Sequence, residues 1–182
     1  MPNLISQDLI DFWFSDRVSK LWYSSTPEFD KEVNDKFSSM YNAACDGELD
    51  NWRATANGCL ALIILFDQYP LNVFRGDKKS FATETQALEI AQYCIDQGLD
   101  QQLTKTQQSF VAMPFMHSEQ IAHQELAIKL YNNISPNNLE FAHHHYDIIK
   151  KYGRFPHRNK ILGRQSTPEE QAYLESKEAF TG

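Results

Sequence analysis

From Tyr152 to Ser166 the chain reads Tyr-Gly-Arg-Phe-Pro-His-Arg-Asn-Lys-Ile-Leu-Gly-Arg-Gln-Ser, an unusual gathering of guanidinium and imidazole groups. Lys150 to Arg164 holds six cations and no acid, so it carries +6 in a chain of net charge −7, and the remainder carries −13. Arginine offers a planar fork of donors that matches carboxylate and phosphate groups. A loop of this composition between two helices therefore suits an anion pocket, with Arg154, His157, Arg158 and Arg164 as candidate ligand contacts. The structural alternative is a clamp, in which the arginines meet the chain's own carboxylates and fix the last helix.

Three more segments carry chemistry. In Asp67-Gln-Tyr-Pro-Leu-Asn-Val-Phe-Arg-Gly76, Asp67 and Arg75 either meet a ligand or pair with each other across the turn. In His117-Ser118-Glu119, Ser118 suits a helix N-cap and Glu119 a first-turn carboxylate. Functionally, His117 becomes a general base or ligand contact if it faces the arginine loop, with Glu119 beside it. His143-His144-His145 invites a metal reading, but consecutive helical residues diverge by about 100° and cannot share one ion. Glu140 and His143 have the spacing of a di-metal carboxylate bundle, yet no second such pair occurs. The expectation is no metal and no cofactor, with one histidine inward. Glycine-rich phosphate loops, G-x-S-x-G elbows, H-E-x-x-H motifs and paired cysteines are absent from the sequence.

The elements that must position these groups read as helices. Thr26-Pro27, Ser135-Pro136 and Thr167-Pro168 each place a capping hydroxyl before a proline at the first helical position. Glu170 completes a capping box with Thr167. Apolar residues at Phe29, Val33, Phe37, Met40, Tyr41 and Ala44 form one face of a helix stopped near Gly47. The spacing predicts further helices over Ser6–Phe14, Ala54–Phe66, Thr83–Asp96 and Lys105–Met113, the last closed by Pro114. Three more are expected over Ser118–Tyr131, Pro136–Tyr152 and Pro168–Ala179. No stretch alternates with period two, so no sheet is expected. The fold class is all-α: antiparallel helix pairs in one domain spanning 1–182, with 153–166 as a long loop.

The strings Gly-Arg-Phe-Pro-His-Arg-Asn (153–159), Leu-Gly-Arg (162–164) and Ser-Thr-Pro-Glu-Glu (166–170) resemble the signature of a bacterial family catalogued as domain of unknown function 924. Leu-Phe-Asp-Gln-Tyr-Pro (65–70), Asn-Val-Phe-Arg-Gly (72–76) and Met-Pro-Phe-Met-His-Ser-Glu (113–119) fit it too. Leu71 and Gln108-Ser109 depart from the pattern, where the family has arginine nearby. The resemblance implies a tetratricopeptide-like helical fold and no known activity, so it carries over no catalytic residues.

Composition excludes several classes. The longest apolar run, Cys59 to Phe66, falls short of the roughly 20 residues that span a bilayer. Met1–Asp8 has no basic and apolar stretch of a signal peptide. Cys45, Cys59 and Cys94 are odd in number and widely spaced, which suits a reducing, cytoplasmic setting. The acidic background disfavours nucleic acid as a partner. Two readings remain: a site for a small carboxylate or phosphate compound around Arg154, His157, Arg158, Arg164 and Arg75, or a tetratricopeptide-like module docking an acidic peptide.

Overall fold

A computed structural model describes residues 5–180, so the reading of the first four residues lies outside it. Among the described residues the regular structure is helical and no strand occurs. In chain order the α-helices are α1 (Ser6–Trp13), α2 (Pro27–Cys45), α3 (Ala56–Ile63), α4 (Tyr69–Val73), α5 (Glu84–Asp96), α6 (Lys105–His117), α7 (Ile121–Ile134), α8 (Pro136–Tyr152) and α9 (Pro168–Leu174). No described helix is long and apolar enough to cross a membrane.

The core is organised around α3. Its sequence is apolar on every side, and Cys59 through Leu65 are sealed from solvent. It touches α1, α5 and α6, while α6, α7 and α8 pack in succession. Trp13, Phe14 and Trp22 close around Phe110 of α6 with edge-on ring contacts, the geometry that ring quadrupoles favour. α2 buries Phe29, Val33, Phe37 and Met40, the face its periodicity predicts.

Several helix boundaries differ from the expectation, and four of the differences have an identifiable physical cause or consequence. The helix predicted over Ala54–Phe66 does not simply stop. It passes through a π-helical turn, Ile64–Gln68, into α4. Pro70 is the cause: it has no N–H, and its ring crowds the carbonyl four residues earlier. That carbonyl, Phe66 O, accepts instead from the Thr83 hydroxyl at 2.7 Å. Such turns are rare and recur at functional sites.

Pro114 does not close α6, which continues to His117. The Gln124 side chain, fully buried on α7, donates to Met116 O at 2.7 Å and Ser118 O at 2.6 Å. This satisfies carbonyls that a helix end leaves without partners. α7 then begins at Ile121, three residues later than predicted. Ser118 still serves the turn, its Oγ accepting from the Gln120 amide at 3.2 Å. Finally, α9 ends at Leu174 because the chain doubles back: the Phe180 amide donates to the Tyr173 hydroxyl at 2.9 Å.

Candidate functional site

The 153–164 loop is built as a set of ion pairs. The left-handed turn at Gly153 (φ 69°) ends α8 and releases Arg154 sideways. Arg154 grips Glu170 through Nε and Nη2 at 2.7 and 2.9 Å. Glu170 also accepts from the Thr167 amide at 2.8 Å and from Asn159 at 3.1 Å, so the predicted capping box doubles as the arginine's receptor. Hydrogen bonds from Arg154 foremost, opposed by burial, hold the Glu170 carboxyl down to about 2.

Arg164 forms a second two-pronged pair, Nη1 and Nη2 donating to the two oxygens of Glu119 at 2.7 and 2.8 Å. The Phe155 amide donates to the same carboxylate at 2.8 Å. Burial pushes the Glu119 carboxyl up, but Arg164 and that amide outweigh it and leave it below its usual value. Glu119 is thus the anchor of the loop, placed ahead of α7 and not in its first turn.

Arg158 is the most enclosed of the three, its side chain 6% exposed against 32% for its partner Glu84. Its guanidinium carbon lies 4.4 Å from the centre of the Phe81 ring and 4.7 Å from that of Phe155. Nη1 donates to Glu84 at 2.7 Å, and Nη2 donates to the backbone carbonyl of His117 at 2.9 Å. One guanidinium therefore bridges the start of α5 to the end of α6.

At the end of α6, Nδ1 of His117 meets Oδ1 of Asp67 at 2.8 Å. The Asp67 side chain is 3% exposed and that of His117 is 19% exposed. Asp67 lies on the π-helical turn, where Gln68 Nε2 donates to its other oxygen at 2.6 Å. Burial raises the Glu84 carboxyl above its usual range, with Arg158 and His117 working against the rise and Asp67 adding to it. Thr83, tied to Phe66 O, sets where Glu84 begins α5.

Of the residues singled out in the sequence, Asp67, His117 and Arg158 thus converge directly. Glu119, Arg164 and Arg154 support them through the loop. Arg75 does not join them, and no Asp67–Arg75 clamp forms. Its Nε donates to Asp30 at 3.3 Å and its Nη2 to Ser25 at 2.6 Å, against α2. His157 turns to a second apolar cluster, its ring 5.6 Å from Phe155 and 5.0 Å from Phe180. Burial, followed by the Arg158 charge, lowers it to about 4. Of the three consecutive histidines, His145 packs inward, donating through Nδ1 to Phe141 O at 2.8 Å, while His143 and His144 are exposed. Burial takes His145 down to about 3.

Glu84 and Phe81 were not singled out in the sequence. Nothing in the helical pattern over Thr83–Asp96 marks Glu84, and its partner lies 74 residues away. The one usable signal was that an arginine-rich loop in an acidic chain must draw carboxylates from elsewhere.

An all-helical bundle in which two proline-modified helix ends present a buried acid–histidine pair, braced by an arginine loop, is the class of protein these observations define. The chain belongs to the family described as bacterial protein of unknown function (DUF924), whose profile matches residues 9–178. It is also similar to the solved structure of the protein of unknown function ATU0120 from Agrobacterium tumefaciens, at 39% identity and a TM-score of 0.90. That alignment covers 93% of this chain and 96% of the other. No curated protein matches.

Proposed function

We propose that the chain performs proton transfer on a small molecule, with the His117 imidazole as general base, Asp67 as its orienting partner and Glu84 as a proton donor. The observation that carries this reading is the 2.8 Å contact between Asp67 and Nδ1 of His117. A carboxylate only accepts hydrogen bonds, so Nδ1 holds the proton and Nε2 keeps its lone pair. Acid–histidine pairs hold an imidazole in one tautomer by the same logic. No described residue hydrogen-bonds Nε2, neither hydroxyl nor thiol, which favours proton transfer over attack by a protein nucleophile.

The same groups suggest the charge of the substrate. His117 gains a positive charge on accepting a proton, and a carboxylate or phosphate compound complements that charge. In this reading the 153–164 loop braces the site instead of forming the pocket. Docking of an acidic peptide is less well supported, because the guanidinium groups that would receive it already hold Glu170, Glu84 and Glu119.

Long-range proton–nitrogen NMR on histidine-labelled protein reads the tautomer directly. Neutral His117 is expected to carry its proton on Nδ1 in the wild type and to lose that preference in Asp67→Ala. A wild-type ring protonated on Nε2 would sink the assignment. Turnover, or uptake of deuterium from solvent by a component of a metabolite mixture, is expected to fall at least about 100-fold in His117→Gln.

A further inference from the structure

We propose that the cleft between α2 and α4 is a second, separate site that binds a small hydroxylated oxyanion. The cleft has a volume of about 590 Å³ and is lined by Ser25, Asp30, Lys31, Asn34, Asn72 and Arg75 among others. Asp30, Lys31 and Asn34 follow helical spacing along one face of α2, and α4 and the turn after it supply Asn72 and Arg75.

Its polar groups are held in fixed orientations by bonds that leave one hydrogen-bonding edge of each free. Ser25 donates to Asp30 at 2.9 Å, and Arg75 donates to both. This three-membered arrangement fixes the guanidinium of an otherwise exposed arginine, while its Nη1 has no partner among the described residues. Asn72 is buried, and its amide nitrogen donates to Gln68 O at 2.9 Å. A carbonyl only accepts, so Oδ1 is the atom Asn72 leaves unused. Asn34 accepts from the Tyr69 hydroxyl at 2.8 Å, which frees its amide nitrogen as a donor.

The unused edges are therefore a guanidinium N–H and an amide N–H, set against one amide oxygen, while the Lys31 ammonium at the rim is held by Asp35. Asp35 meets the Lys31 charge and Asp30 meets that of Arg75. Donors in excess, one of them on a guanidinium, suit an oxyanion, and the Asn72 oxygen suits a hydroxyl on the same molecule. A carboxylate and a phosphate share this chemistry. Pre-orientation of Arg75 lowers the ordering cost of binding.

Asn34 and Asn72 supply the readout, since their side-chain amide signals report on the cleft in proton–nitrogen spectra. Gluconate, glycerol phosphate and sorbitol are titrated separately into the folded chain. Gluconate or glycerol phosphate is expected to shift both signals saturably at millimolar concentration, and which one does so tells carboxylate from phosphate. Arg75→Ala is expected to weaken that binding at least about tenfold, whereas His117→Gln leaves it unchanged. Silence from both anions, equal binding of sorbitol, or full binding by Arg75→Ala would each overturn the proposal. None of these outcomes bears on the His117 tautomer, so the two sites stand or fall separately.

Discussion

His145 and His157 are the residues whose charge state this fold most strongly dictates. Both are neutral by burial, at about 3 and about 4 in the folded chain. In the unfolded chain each titrates near 6.5. The folded values are the lower ones, so the unfolded chain binds more protons over the interval between. Stability is therefore intact above about pH 6.5 and is lost as pH falls towards 4 for His157 and 3 for His145. Each contributes about 1.4 kcal/mol per pH unit within its window. Urea unfolding at pH 7 and pH 5 is expected to show this loss, and His145→Gln to remove roughly half of it. Equal stability at both pH values would contradict the burial of the two rings. His117 differs in having a buried acid on one nitrogen and no partner among the described residues on the other, which is what the proposed role of His117 draws on, whereas His145 is bonded within its own helix.

Helix ends and turns decide where these residues sit. Pro70 forces the π-helical turn that carries Asp67, and Gln124 caps the end of α6 where His117 sits. Gly58, in the first turn of α3, shows how tightly the central helix is seated. A Cβ there would fall 1.9 Å from the Trp52 carbonyl oxygen, a backbone atom that cannot swing aside. Gly58→Ala is expected to cost about 3 kcal/mol or more, as overpacking against backbone does. Gly153 makes the contrasting case, with positive φ and nothing within 4 Å of an added Cβ. Gly153→Ala carries only the left-handed backbone penalty of about 1–2 kcal/mol. Denaturant midpoints of the two variants rank these costs, and a Gly58→Ala protein as stable as Gly153→Ala would refute the close approach.

Across the whole molecule, the 153–164 loop is tied to the helical core by two arginine–carboxylate pairs, Arg158–Glu84 and Arg164–Glu119, and to α9 by a third, Arg154–Glu170. The cluster of Ile148, Ile149 and Phe155 is small and separate from the main core. Glu119 ties that region to the α6–α7 junction through Arg164 and the Phe155 amide. Removing one partner leaves a partly buried charge unmatched. Glu119→Ala is expected to destabilise the protein by about 1–3 kcal/mol. Hydrogen exchange should quicken across residues 153–164, with that of α3 and α5 little changed. Uniform acceleration throughout the chain would mean that the loop and core unfold as one unit.

The sequence by itself determined the all-helical class, the caps at Thr26, Ser135 and Thr167, the buried face of α2 and the family. These follow from local rules: periodicity, capping chemistry and proline position act over a few residues. It also marked Asp67, His117 and Arg158 as chemically unusual. Only the tertiary structure decided that these three meet, that Glu84 joins them and that Arg75 goes elsewhere. Arginine has the same reach whichever carboxylate it finds, and the partners of Arg158 and Arg164 lie 74 and 45 residues away. Pro114 misled for a related reason. Propensity predicts a stop at Pro114, but α6 runs on to His117, where a buried glutamine from the next helix meets the carbonyls of the helix end. No local pattern announces that kind of rescue.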